Sequence, residues 1–113
     1  LVYIRDGDLT EIKGDKMSVA EPLSDDNPGQ YNRYDLALKP GDFIYLFSDG
    51  IVDQFGGPEN KRLGRRALYE MFEAAANLPG SKQAETIGSR MKAWQGRYDQ
   101  TDDQVLIVMQ MAE

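Results

Sequence analysis

Five consecutive apolar residues, Phe43-Ile44-Tyr45-Leu46-Phe47, run between a Lys39-Pro40-Gly41-Asp42 turn and an abrupt Ser48-Asp49-Gly50 stop. Pro at the second turn position and Gly at the third is the pattern of a type II turn. The run has no polar alternation, so it predicts a strand buried on both faces. Such a strand cannot carry a carboxylate in its middle, because an unpaired buried charge is costly. It can hold one at its end, where a rigid core meets solvent or a metal ion. Asp49 occupies that end, and Gly50 lets the backbone turn directly after it. Ser-Asp-Gly also serves simply as a turn or a helix start, and that plainer reading of Asp49 stays open at this point.

The flanking sequence supplies partners for the strand. Leu1-Val2-Tyr3-Ile4-Arg5 and Asp8-Leu9-Thr10-Glu11-Ile12-Lys13 flank Asp6-Gly7, a hairpin signal because Asp-Gly favours the primed turns that match strand twist. Residues 14–30 read as loop, with Asp25-Asp26-Asn27-Pro28-Gly29 as its most polar part. That cluster has neither the spacing nor the distal Glu of an EF-hand, and a solvated turn accounts for it. Residues 34–38 alternate, with Tyr34, Leu36 and Leu38 on one face. They predict a half-buried strand pairing with 43–47 through the Pro-Gly turn.

Beyond Gly50, Ile51-Val52-Asp53-Gln54-Phe55 forms a short structured stretch ended by Gly56-Gly57-Pro58. After the basic segment 61–66, Leu63, Ala67, Leu68, Met71, Phe72 and Ala75 fall on one helical face. Asn77-Leu78-Pro79-Gly80 ends that helix. Ser81 is placed to cap a second one, with Ala84, Ile87, Met91 and Trp94 as its apolar stripe and Gly96 as its end. Both stripes read as core. Thr101-Asp102-Asp103 then precedes Gln104-Val105-Leu106-Ile107-Val108-Met109, a second strand with little alternation.

Composition narrows the chemistry. Of 113 residues none is His and none is Cys, which excludes a Ser-His-Asp triad, a histidine base, thiolate metal sites and disulfides. The net charge of −6, with no basic stripe, argues against nucleic acid. No apolar run reaches the ~18–20 residues that cross a bilayer. Catalysis would rest on carboxylates and hard, oxygen-loving cations. The chain opens on Leu1, inside an apolar run and without an initiator Met or signal peptide, as expected of a piece of a longer protein.

The two acidic placements belong together. Asp49 follows one buried strand, and Asp102-Asp103 precede another. If the strands are antiparallel neighbours, these carboxylates reach the same rim of one sheet. Like charges there repel, and a divalent cation converts that repulsion into affinity.

Gly41-Asp42-Phe43-Ile44-Tyr45-Leu46-Phe47-Ser48-Asp49-Gly50 resembles the GDxxxLxSDG motif of the PPM (type 2C) metal-dependent serine/threonine phosphatases, in their bacterial SpoIIE-like branch. Asp53-Gln54-Phe55-Gly56-Gly57, Trp94-Gln95-Gly96 and Gln100-Thr101-Asp102-Asp103 agree in order and spacing. The hairpin at 1–13 is similar to the one that precedes these motifs. The resemblance implies an α+β fold: the C-terminal half of a β-sandwich, an antiparallel sheet with two helices on one face. It implies hydrolysis of phosphoserine or phosphothreonine by a water held between two Mn²⁺ or Mg²⁺ ions, which needs no histidine. Asp49 and Asp102 match metal-ligating positions, while Gly50 and Asp103 match supporting ones. Family members commonly follow sensory or transmembrane modules in signalling pathways and act on STAS-type anti-anti-sigma factors. The implied setting is therefore cytoplasmic, in a parent that a membrane module can anchor.

One family element is missing. The Asp-Gly pair that bridges both metals should precede Leu1, and Asp6-Gly7 lies in a hairpin turn with other surroundings. Residues 1–113 are thus expected to be the C-terminal portion of the domain, inactive alone, binding Mn²⁺ or Mg²⁺ weakly or not at all. The uncovered sheet face would drive a homodimer. The alternative from another class is a non-catalytic regulatory or binding module on the same scaffold.

Overall fold

The computed structural model describes residues 1–14 and 33–112. Asp6 and Gly7, both at positive φ (51° and 82°), turn β1 (Val2–Arg5) into β2 (Asp8–Glu11). The predicted central strand is β3 (Phe43–Phe47). It is followed by a one-turn α1 (Asp49–Val52), a small hairpin of β4 (Phe55–Gly56) and β5 (Lys61–Arg62), then α2 (Gly64–Ala75), α3 (Gly80–Gln95) and β6 (Leu106–Gln110). The main sheet is antiparallel, in the order β2-β1-β3-β6. The architecture is α+β, as expected.

Alternation along β3 divides its two faces. Phe43, Tyr45 and Phe47 point toward the helices, where the Tyr45 ring stacks on Phe72 at 4.4 Å between centroids. Val2, Ile4, Leu68, Phe72, Ala75, Ile87 and Met91 close this core. The Tyr45 hydroxyl is buried in it and donates to Gln83 Oε1, while Gln83 Nε2 donates to the Leu78 carbonyl (2.9 Å). Burial pushes the Tyr45 phenol up to about 12. Tyr45→Phe would strand the acceptor of a fully buried glutamine. An unsatisfied buried group costs ~1–3 kcal/mol, and urea denaturation is expected to read a loss of that size.

On the opposite face, Tyr3, Ile44 and Met109 lie side by side across the ladder. Ile44 is buried, but toward the β6 edge Val105, Ile107 and Met109 are 52%, 48% and 38% exposed. Burial on both faces therefore holds for most of β3, and β6 carries the uncovered sheet face that was expected. Each such side chain left wet forgoes roughly 1.5–3 kcal/mol, and among the described residues β6 is an edge strand. The isolated chain is accordingly expected to self-associate. Light scattering that finds only monomer would show the face to be inert.

Several expectations need correction. Residues 34–38 form no strand, and Tyr34 is 58% exposed. Both edges of β3 are taken, by β1 and by β6, and a type II turn splays its flanking chains rather than pairing them. The turn itself is as predicted, with Gly41 at φ 86° and the Asp42 N–H donating to the Lys39 carbonyl (3.1 Å). Ser81 does not cap α3, which starts one residue earlier behind Pro79 without a side-chain cap. On α3 Gln83 is buried and Ala84 exposed, because the Tyr45 hydroxyl requires a polar partner at that depth. The last strand begins at Leu106 rather than Gln104. The β4–β5 hairpin was not anticipated. The Asp25-Asp26-Asn27-Pro28-Gly29 cluster lies outside the described residues.

Asp42 anchors the start of β3. Arg5 Nε and Nη2 donate to its two oxygens at 3.0 and 2.7 Å, and the Lys39 N–H adds a third bond at 2.8 Å. The Arg5 bonds first, then the Lys39 amide, hold this carboxyl at about 2, against 3.8 ordinarily. Because the folded value is the lower one, the stability it contributes is complete above about pH 3.8 and is lost as pH falls through about 2. Asp42→Asn is expected to lower the urea midpoint at neutral pH and to flatten its decline across that acid window.

Candidate metal centre

The site is assembled where β3 ends and β6 begins. In the antiparallel register Phe47 faces Leu106, so the residues leaving β3 lie beside those entering β6. Ser48 fastens the two segments. Its N–H donates to the Val105 carbonyl (3.0 Å), its Oγ donates to the Asp103 carbonyl (3.0 Å), and the Val105 N–H donates back to that Oγ (3.0 Å). Ser48 therefore locks the rim and makes no side-chain cap to α1, although it occupies the N-cap position.

Gly50 sets the spacing. A Cβ built there would lie 2.0 Å from the Asp103 carbonyl oxygen and 3.4 Å from the Asp102 carbonyl carbon. Only a residue without a side chain lets α1 lie this close to the 102–103 peptide. Asp49 begins α1, as the plainer reading of Ser-Asp-Gly allowed, and its carboxylate is 78% exposed. Its ion-pair partner is Arg65, whose Nη2 is 3.6 Å from Oδ1. Asp102 Oδ1 accepts the Asp103 N–H at 2.8 Å. Asp103 supports the rim through its backbone carbonyl.

A second layer steadies the loop that carries Asp102. Gln54 is fully buried; its Nε2 donates to the Phe55 and Asp99 carbonyls (2.9 Å each), and its Oε1 accepts from Gln104 Nε2 (2.9 Å). Gly56 and Gly57 admit Trp94, whose carbonyl accepts the Gly57 N–H at 2.8 Å. Sequence reasoning noticed these residues as a matching string but assigned them no task. Arg65 was likewise read only as part of the basic segment 61–66, and Tyr69 was given no reading. The available signal was Gln54, an amide between an apolar stretch and a turn, which burial obliges to find partners.

The donor set suits a hard cation in part. Carboxylates and carbonyls are the oxygen ligands that Mg²⁺ and Mn²⁺ take. Among the described residues, however, no group of three or more Asp, Glu, His or Cys side chains is gathered closely enough to hold an ion. Asp49 and Asp102 fit as a share of such a site and do not complete one.

The family model for stage II sporulation protein E (SpoIIE) matches residues 1–112. Among solved structures, the chain is similar to the SiaA-PP2C domain of Pseudomonas aeruginosa, with 28% identity and a TM-score of 0.82, over 97% of this chain and 42% of that one. It also shares its fold with the phosphatase domain of SpoIIE from Bacillus subtilis, solved after presoaking with Mn, at 16% identity and a TM-score of 0.62, over 98% of this chain and 45% of that one. No curated protein matches the chain. The chain thus spans less than half the length of these structural relatives.

Proposed function

This chain belongs to the SpoIIE family and carries the scaffold of PP2C phosphatase domains, and from that premise we propose that it contributes Asp49 and Asp102 to a metal-dependent site that hydrolyses phosphoserine or phosphothreonine on a protein. The observation that carries the reading is the meeting of the Ser48-Asp49-Gly50 and Asp102-Asp103 segments at one rim, made possible by the absent side chain of Gly50. Bound Mn²⁺ or Mg²⁺ would supply an acidified water and neutralise phosphoryl charge.

The chain's own residues supply position. β3, held at both edges, fixes the root of Asp49. Ser48 holds the Asp102 loop against it, and Gln54 with Gln104 keeps that loop from drifting. Asp49 stays exposed, free to exchange its loose contact with Arg65 for an ion. As the chain covers 42% and 45% of the matched structures, the remaining ligands belong, in this proposal, to an N-terminal portion of the domain. The 113 residues alone would then bind metal weakly, because Mg²⁺ keeps its waters unless several ligands are well placed.

By the same reading the protein works in a bacterial signalling pathway in the cytoplasm, downstream of a sensory module. Its substrate class would be a phosphorylated regulator such as a STAS-type anti-anti-sigma factor. Among the described residues no helix is long and apolar enough to cross a membrane. The second reading is a non-catalytic module on the same scaffold. The test is phosphate release from a phosphoserine protein by the full-length protein with Mn²⁺ or Mg²⁺. Metal-dependent release that is lost in Asp49→Ala supports the enzyme, and no release under any cation leaves the binding module.

A further inference from the structure

Beside Asp49 a cleft of about 510 Å³ opens between the end of β2 and the first turns of α2, with Phe47, Asp49, Arg65 and Tyr69 in its wall. Two groups in it have no task in the metal centre. The Arg65 guanidinium lies over the Phe47 ring, 5.9 Å from its centroid, and reaches the Asp49 carboxylate only at 3.6 Å. The Tyr69 hydroxyl is buried and, among the described residues, reaches no partner at full hydrogen-bond geometry, although Glu11 and Arg65 flank it. Its ring is held edge-on by Phe47 at 6.0 Å and stacked on Phe72 at 6.1 Å.

Building on the phosphatase reading, we propose that Arg65 and Tyr69 form the subsite that grips the phosphoryl group of the substrate beside the metal ligands. A guanidinium presents a planar fork of donors that matches a phosphate's oxygens. A charge-assisted bond of full strength spans ~2.7–2.9 Å, so the 3.6 Å contact to an exposed Asp49 is loose and screened by solvent. The cation is thus retained near the carboxylate without being consumed by it. Phe47 fixes its direction through the ring face, a contact that uses none of the N–H donors. A buried hydroxyl with only loose contacts to its neighbours carries a desolvation cost, and an acceptor oxygen entering the cleft at full hydrogen-bond distance would relieve it. Glu11 and Lys13 also line the cleft. Glu11 and Arg65 both neighbour the Tyr69 hydroxyl, and the Glu11 carboxylate repels an anion, so the phosphoryl group is favoured beside Arg65 and away from Glu11.

Inorganic phosphate is the probe, titrated by calorimetry into the full-length protein with Mn²⁺, alongside steady-state hydrolysis of a phosphoserine peptide. Arg65→Ala is expected to weaken phosphate roughly 10-fold or more and to raise KM by a similar factor. Tyr69→Phe should weaken it roughly 2–10-fold, and Arg65→Lys should recover part of the arginine loss. Mn²⁺ affinity, measured separately, should not fall in any of the three, and in Arg65→Ala it should hold or rise because a cation beside Asp49 is removed. The subsite is refuted if wild-type protein binds no phosphate, if Arg65→Ala binds it unchanged, or if phosphate and Mn²⁺ affinity fall together. Failure of the catalytic reading looks different: no Mn²⁺-dependent hydrolysis by the wild type, with phosphate affinity still dependent on Arg65.

Discussion

Gly50→Ala is expected to destabilise the chain by at least about 1–3 kcal/mol, the usual cost of forcing extra atoms into a packed site, and to weaken metal binding in the same step. The new Cβ would fall 2.0 Å from the Asp103 carbonyl oxygen and 2.8 Å from its carbon. Both are backbone atoms, so no side chain can swing aside. Alanine is the better helix former by up to ~1 kcal/mol, and Gly50 lies within α1, but that gain is small beside such an overlap. Relief requires α1 to part from the 102–103 peptide, which separates Asp49 from Asp102. Gly88 is the control: it lies within α3 with nothing within 4 Å of its added Cβ. Gly88→Ala should be neutral or stabilising by up to ~1 kcal/mol. Urea midpoints of the two variants decide the matter. Equal behaviour would mean that the close approach at Gly50 is not part of the folded protein.

Much of this arrangement was legible in the sequence, for reasons that differ by element. The strand at Phe43–Phe47 and the hairpin at Asp6-Gly7 were readable because each rests on local chemistry, an unbroken apolar run in one case and a primed turn in the other. Gly96 ending α3 at φ 56° is local in the same sense. The strand expected at 34–38 failed because alternation reports a half-buried face, not a free ladder edge, and β1 and β6 already fill both edges of β3. Gln83 escaped notice because its burial answers the Tyr45 hydroxyl 38 residues away.

The site divides along the same line. Asp49 stood out because it ends an apolar run, and Asp102 because it stands shortly before another. The reason for Gly50 did not, since a glycine that serves a turn and one that admits a close approach to residue 103 look alike in sequence. Gln54, Arg65 and Tyr69 act only through partners brought to them by tertiary contacts. Periodicity cannot reveal a residue whose role is set by what packs against it.

Asp49→Ala is expected to abolish phosphatase activity in the full-length protein while leaving the fold nearly untouched, and the pairing of those outcomes is what makes the variant informative. Loss of a residue that merely supports a metal ligand costs ~10–100-fold, so loss of a ligand should exceed ~100-fold in kcat/KM. On the stability side little is removed. The carboxylate is 78% exposed, and its partner Arg65 is 53% exposed at 3.6 Å, a class of ion pair worth ~0–1 kcal/mol. The hydrogen bond that closes α1, from the Asp53 N–H to the Asp49 carbonyl at 2.8 Å, uses backbone alone. A carboxylate in the first turn of a helix adds ~0.3–1 kcal/mol through the helix dipole, which sets the size of the small loss to expect. Thermal denaturation and Mn²⁺-dependent phosphate release, measured on the same preparation, separate the readings. Activity lost with the melting curve retained assigns Asp49 to the metal. Activity retained removes it from the chemistry. A collapsed melting curve makes Asp49 a structural start of α1, and the rim between β3 and β6 would then hold the fold together rather than a reacting centre.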